Sequence, residues 1–497
     1  MRASLIIPFL LGALTLGGSA FAADKDGEGK NTHVQKPKAK TEKSQKTKRP
    51  KKAKKKEEKK EEEKPAASSA PPSIASSLGP LGNLWGARTA LEKAGVTSSF
   101  IYIGEVLGNS TGGMRQGTIY EGALQGILDA DLDKLVGWHG ASFHASAYQI
   151  HGHGLSRFYV GNLMSVSGIE ALPSTRLYEL WLEQKLGDKV ALRVGQLGAD
   201  TEFVISQYAT LFLNTTFGFP SIMANDLPSG GPTYPLATPG VRLKLTPSDN
   251  VTILAGLFDG NPAGPGPNDP QRRNHTGLAF RTSDPPFVIG EVQYAYNQDK
   301  DAKGLPGTFK FGGWHHFGRF ADQRFDIIGL PLADPRSSGR PNQLLGDSGV
   351  YVLIDQMLYR KEGTTDQGIG VFARASASPN DRNLVSFYID GGLTWKGMIP
   401  GRENDTFGIS FAYSRISDAA RGFDRDVEFF TSIGRPIRSS EAVVEVTYQA
   451  EIVPGWTIQP DFQYVFRPGG NITNPRDPAA GRIKDAAVFG LRTTIRY

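Results

Sequence analysis

The last twelve residues, "AAVFGLRTTIRY" (486–497), alternate with a period of two. In an extended chain, successive side chains point to opposite faces. Phe489, Leu491, Thr493, Ile495 and Tyr497 therefore share one face, and Val488, Gly490, Arg492, Thr494 and Arg496 the other. One face is oily with an aromatic residue at its tip; the other carries two guanidinium groups. Such a strand fits either a soluble sandwich or the wall of a membrane barrel.

The same period recurs far upstream. In "EGALQGILDADL" (121–132), Leu124, Gly126, Leu128, Ala130 and Leu132 oppose Gln125, Asp129 and Asp131. In "RLYELWLEQK" (176–185), Tyr178, Leu180 and Leu182 oppose Glu179, Trp181 and Glu183. "KVALRVGQ" (189–196) sets Val190, Leu192 and Val194 against Arg193, and "DTFGISFAYS" (405–414) sets Phe407, Ile409, Phe411 and Tyr413 against Gly408, Ser410 and Ser414. "WTIQPDFQYVFR" (456–467) repeats it, with a local irregularity expected at Pro460, which has no N–H for a sheet ladder. Aromatics recur near strand ends, as they do at membrane interfaces. The opposite face mixes charges with Gly and Ser, as in a water-filled lumen.

Connections alternate in length as well. Short ones fall at 186–189, 246–250, 397–403 and 453–455; long ones at 152–173, 198–238, 259–285, 317–346, 417–439 and 468–484. Short turns on one side and long loops on the other describe an outer-membrane barrel with short turns facing the periplasm. Seventeen segments read as strands. "HTGLAFRT" (275–282) is the weakest, lying between Pro-rich stretches, and assigning it to a long loop leaves an even sixteen. The expected fold class is thus all-β: a transmembrane antiparallel β-barrel of 16 strands, wide enough for an aqueous channel. A short periplasmic helix, Leu84 to Lys93 with Gly95 closing it, precedes the barrel.

The 497 residues contain no Cys, so neither a disulfide framework nor a Cys metal site exists. Arg2, an apolar run from Leu5 to Leu11 and the spacing Ala20-Phe21-Ala22 read as an export signal over 1–22. Residues 23–80 read as a disordered Lys/Glu-rich extension and a Pro/Ser linker, and 81–497 as the barrel domain. The whole chain is +6, but residues 24–64 hold 17 basic and 9 acidic side chains, and residues 65–497 hold 38 against 41. The basic character belongs to the extension, so no nucleic-acid partner is expected; an acidic envelope polymer is the partner such an arm would meet.

Enzymatic motifs are absent. "HGHG" (His151, His153) lacks a third ligand at a telling spacing, so no metal is expected. Glu179 and Glu183 lie four residues apart, about 13 Å along a strand, too far for a glycosidase pair. No nucleophile elbow or phosphate-binding loop occurs. The reading is of a non-enzyme without cofactors.

The stretches "YVGNLMSVSGIEALPSTRLYELWLEQKLGDKVALRVGQLGADTEF" (159–203) and "YATLFLNTTFGFP" (208–220) resemble the carbohydrate-selective, OprB-type porins of Gram-negative bacteria. "LWGARTALEKAGV" (84–96), "SPNDRNLVSFYIDGGLTWKGMIPGREND" (378–405) and "YQAEIVPGWTIQPDFQYVFRPGG" (448–470) extend the resemblance over about Leu81 to Tyr497; the Lys-rich extension falls outside it. The resemblance implies a 16-stranded outer-membrane barrel, passive diffusion of small glucose-like sugars, and loops after early strands folding inward as a constriction. It also implies that the aromatic C-terminus, with Phe489, Leu491, Ile495 and Tyr497, is the signal read by the barrel assembly machinery.

Charged side chains bond strongly to sugar hydroxyls. The expected substrate pathway comprises Arg176, Glu179, Trp181, Glu183 and Arg193 on neighbouring strands, with Asp200, Glu202, Asn214 and Thr215 from the following long loop. Expected partners are sugars in transit, outer-membrane lipids and the assembly machinery, with the barrel a monomer or homotrimer and the extension in the periplasm. Two alternatives remain open at this point: a general diffusion porin, and a barrel that only anchors the Lys-rich arm as an envelope tether.

Overall fold

The computed structural model describes residues 72–299 and 302–497. The expected export signal and most of the Lys-rich extension lie outside the described residues. A closed barrel of sixteen antiparallel strands follows, each hydrogen-bonded to its sequence neighbours, with the first strand also paired to the last. The strands are β1 (Val96–Gly113), β2 (Gly117–Asp131), β3 (Ala141–Gly152), β4 (Ser174–Leu186), β5 (Val190–Leu197), β6 (Thr238–Ser248), β7 (Val251–Asp259) and β8 (Pro286–Tyr296). Then come β9 (Gly307–Asp326), β10 (Pro341–Arg360), β11 (Gly368–Ala377), β12 (Val385–Lys396), β13 (Thr406–Ile416), β14 (Ser440–Val453), β15 (Trp456–Phe466) and β16 (Lys484–Arg496).

Alternation sorts the two faces as expected. Phe100, Tyr120, Leu128, Val194, Phe411 and Phe489 are exposed on the outer wall, while Glu105, Ser410, Gln463 and Val488 are buried inside. No described helix is long and apolar enough to cross a membrane. Closure removes every sheet edge, as the absence of water in a bilayer core demands. Residues 275–282 belong to the connection between β7 and β8, which brings the strand number to the even sixteen.

Three local expectations need correction. The helix begins at Ala87 and runs to Lys93 (α1), not from Leu84. Leu84 and Trp85 hold φ of 45° and 52°, which breaks the helical path before it. The connection drawn at 317–346 shrinks to 327–340, because β9 and β10 are 20 residues each and pair from Pro341↔Asp326 inward. Pro460 leaves the strand continuous. Pairing with β14 skips from Thr447↔Asp461 to Ala450↔Ile458 in unchanged register, and the Thr447 hydroxyl donates to the Pro460 carbonyl at 3.1 Å.

The C-terminus closes the barrel. Tyr497 exchanges backbone hydrogen bonds with Phe100 at 2.8 and 2.9 Å, its hydroxyl donates to the Leu81 carbonyl at 2.9 Å, and the Arg88 guanidinium sits 5.2 Å from its ring. The last side chain thus ties α1 to the seam. Tyr497→Ala should lower the yield of folded, heat-modifiable barrel in outer-membrane fractions severalfold, whereas Tyr497→Phe, which keeps the ring, should assemble normally. Equal yields for the alanine variant would remove the assembly-signal reading.

Candidate functional site

Two long connections enter the barrel. The first, 153–173, joins β3 to β4; the second, 198–237, joins β5 to β6. Both are held by inward-facing side chains far around the wall. Glu441 on β14 accepts the Leu163 and Met164 N–H groups at 2.8 Å each. Glu445, four residues on, accepts those of Leu213 (2.6 Å) and Asn214 (3.1 Å). Glu291 on β8 accepts the Val204 N–H at 2.8 Å, and Asp355 on β10 the Gln207 N–H at 3.2 Å. Arg374 on β11, fully buried, donates to the carbonyls of Val204 (2.8 Å), Thr216 (2.8 Å) and Phe217 (3.2 Å), and pairs with Asp390 on β12. A buried backbone group without a partner is costly, so these wall charges answer the loop backbone rather than a solute.

Between loop and wall lies an apolar core. Phe203 stacks edge-on to Phe258 at 6.4 Å, and Phe212 and Phe217 meet Phe372 at 5.9 and 6.2 Å. Part of the lumen is therefore packed like a protein interior, beside the ionic inner face expected from the strand pattern. Loop burial repays the ordering of some forty residues through apolar area, at roughly 25 cal/mol per Å².

A further group of charges lies on β4, β5, β6 and the second loop. Here Glu183, Arg193, Glu202 and Arg242 form a square of alternating charge. Arg193 bonds Glu183 at 2.9 Å and pairs with Glu202; Arg242 bonds Glu183 at 2.7 Å and Glu202 at 2.8 Å. Arg193, Glu202 and Glu183 keep 12–16% of their side-chain surface exposed, whereas Arg374 and Asp390 keep none. Three corners of the square thus keep some exposed surface, whereas Arg242, Arg374 and Asp390 are buried. Trp181 stands beside it between neighbours from the two flanking strands. The Arg193 guanidinium lies 3.6 Å from its ring centre, and His144 stacks at 4.7 Å and 11°. His144 is itself held by Asp129 at 2.6 Å.

The other expected residues have different surroundings. Glu179 accepts the Gly198 N–H at 3.1 Å and the Thr201 hydroxyl at 3.2 Å, fixing the root of the second loop; it does not bond Arg193. Arg176 is buried and donates to Ser174, to the Pro235 carbonyl at 3.2 Å and to the Gln271 carbonyl at 3.3 Å. Asn214 and Thr215 join the two loops, through Met164 O at 3.1 Å and Ser167 O at 2.7 Å. Asp200 receives the Tyr178 hydroxyl and the Tyr234 N–H at 2.9 Å; burial nonetheless drives its carboxyl above the usual range.

Tyr178 corrects the strand reading. It was placed on the outer face with Leu180 and Leu182, yet it is buried inside. Pairing with β3 passes from Ser146↔Glu179 to Ala147↔Leu177, so Tyr178 is an unpaired extra residue. Such a bulge re-aims the chain, and Tyr178 and Glu179 both point inward. His151 sits against the Tyr102 and Tyr120 rings, and no described group of three His, Asp or Glu side chains could hold a metal. Arg242 was missed, although "GVRLKL" (240–245) places it opposite Val241 and Leu243 by simple alternation.

Residues 115–497 match the sequence model of the family described as "Carbohydrate-selective porin, OprB family". Porin B of Pseudomonas aeruginosa is 24% identical over 411 residues, covering 78% of this chain and 87% of that one. The fold resembles OprB of Pseudomonas putida in its high-pH structure, with a TM-score of 0.74 at 21% identity, over 84% of this chain and 97% of that one. The low-pH structure of that protein aligns with a TM-score of 0.51 at 16% identity, over the same shares.

Proposed function

The chain belongs to the OprB family of carbohydrate-selective porins, and from that membership we propose that small neutral sugars are selected at the Glu183–Arg193–Glu202–Arg242 square. The protein is an outer-membrane, sugar-selective porin and not an enzyme. One observation supports the square as selector: its two carboxylates and two guanidinium groups cancel. A throat without net charge offers ions little net field. Its donors and acceptors replace the water that a sugar sheds, since charged groups make short, strong hydrogen bonds. Because each charge is already paired, the sugar gains only a fraction of that strength. Binding stays weak enough for release, as conduction requires.

In this reading the short turns and α1 face the periplasm. The described chain starts at that end, where Ser73 and Ile74 pack against Gly455 in the β14–β15 turn, so the Lys-rich extension would join the barrel from the periplasmic side and be free to meet an acidic polymer there.

Proteoliposomes test the proposal. Swelling in glucose should outpace swelling in charged solutes of the same size, and the gap should narrow when the square is neutralised. Equal rates for charged and neutral solutes would indicate a general diffusion pore instead.

A further inference from the structure

Below the tip of the second inward loop, at the short-turn end of the lumen, lies a cavity of about 540 Å³. That volume is in the range of small-molecule sites, roughly 300–1,000 Å³. Tyr208 forms part of its wall, with Gln207 and Thr210 from the loop and Lys396 and Gln449 from β12 and β14. The ring of Tyr208 lies on Gly370 of β11. A methyl group built at Gly370 would sit over Cε1 of the ring, with Cζ and Cδ1 next nearest, which is a face-on and not an edge-on approach. Any side chain at position 370 would lift the ring off its bed. One aromatic face is therefore spent on the glycine backbone, and the partly buried ring also lines the cavity.

The ring is also held in place from both sides along the chain. Lys310 donates to the Ile205 carbonyl at 2.6 Å, Ser206 bonds Asp355, the Tyr208 N–H donates to the Ser206 hydroxyl at 3.3 Å, and Gln459 donates to the Leu211 carbonyl at 2.8 Å. Trp181 at the square is engaged by both His144 and Arg193. A pyranose presents a face of C–H groups edged by hydroxyls. The Tyr208 ring in the cavity wall suits the first, and Gln207, Thr210, Gln449 and the Lys396 ammonium, which is paired with Asp366, suit the second.

We propose that Tyr208, seated on Gly370, is a sugar-binding platform below the constriction, where a hexose ring lodges before it leaves the channel. The proposal rests on the sugar-porin reading and adds to it a second subsite and a specificity-determining residue. It is tested in planar bilayers, with glucose added as the probe from the short-turn side and ion current as the readout.

In the native channel, glucose should reduce the current saturably. Tyr208→Ala should raise the half-blocking concentration about fivefold, the scale of one lost aromatic contact, with the sugar-free conductance no lower than native. Tyr208→Phe should stay close to native. Gly370→Ala, which keeps the tyrosine but displaces it, should resemble Tyr208→Ala; heat-modifiable gel migration identifies folded channels. A native half-blocking concentration in both Tyr208→Ala and Gly370→Ala would overturn the platform while leaving sugar passage intact. A native channel that glucose does not block at all would overturn the sugar reading, and the platform with it.

Discussion

Replacing Arg374 with alanine should turn a narrow, sugar-selective channel into a wide one. Its guanidinium, with no exposed surface, holds the carbonyls of Val204, Thr216 and Phe217 and the carboxylate of Asp390. Among the described residues, no other wall residue grips the second loop at two points so far apart along the chain. Its loss leaves the Val204 and Phe217 carbonyls without this donor, at about 1–3 kcal/mol for each one kept dry, and Thr216 with only the Tyr388 hydroxyl at 3.1 Å. It also leaves Asp390 charged and buried, with only the Tyr388 hydroxyl at 2.7 Å beside it, and breaking a buried pair from one side costs about 3–5 kcal/mol. The loop escapes that cost by leaving the lumen and taking water instead. Conductance should rise at least about twofold toward that of an unplugged 16-stranded barrel, and sugars too large for the native channel should cause swelling. The double variant Arg374→Leu with Asp390→Leu removes the stranded charge and isolates the lost grip on the loop. If its conductance is native, the Phe212–Phe217–Phe372 contacts and Glu445 hold the loop unaided, and the Arg374 account fails.

Neutralising the two acids of the square should make the channel anion-selective. With Glu183→Gln and Glu202→Gln, Arg193 and Arg242 lose every carboxylate partner given to them in the structure, and the throat changes from neutral to +2. Low-dielectric walls focus such a field, and charged clefts change local ion concentrations by about tenfold or more. The reversal potential in a salt gradient should move toward that of chloride, and more so at low salt, where screening is weaker. Glucose swelling should fall, since the carboxylate acceptors become weaker amide oxygens and the freed cations hold their water. Arg193→Gln should shift selectivity the opposite way. An unmoved reversal potential in folded channels would place the narrowest point elsewhere.

Much of the architecture was legible in the residue order. Alternation in "AAVFGLRTTIRY" and its counterparts reads correctly because lipid enforces it: an outward charge is costly at every turn of the pleat, so the period survives along each strand. It failed at Tyr178, where one extra residue shifts the phase and no local pattern announces the bulge. It also failed at 317–346, where β9 and β10 continue beyond the region marked by regular alternation. The candidate site was legible as a set of inward charges, and Arg193, Glu183 and Glu202 do meet.

Strand number, closure and facing, except at the Tyr178 bulge, were thus determined by the sequence alone. Tertiary structure alone decided which charges border water and which bind protein. Glu183 and Glu445 look alike as acids in alternating strands, yet one borders water and the other is buried against the Leu213 and Asn214 N–H groups. The physical reason is distance along the chain. Whether a lumen side chain meets water or a loop backbone depends on where residues 198–237 come to rest, and partners such as Leu213 and Glu445, 232 positions apart, meet only after the barrel has closed.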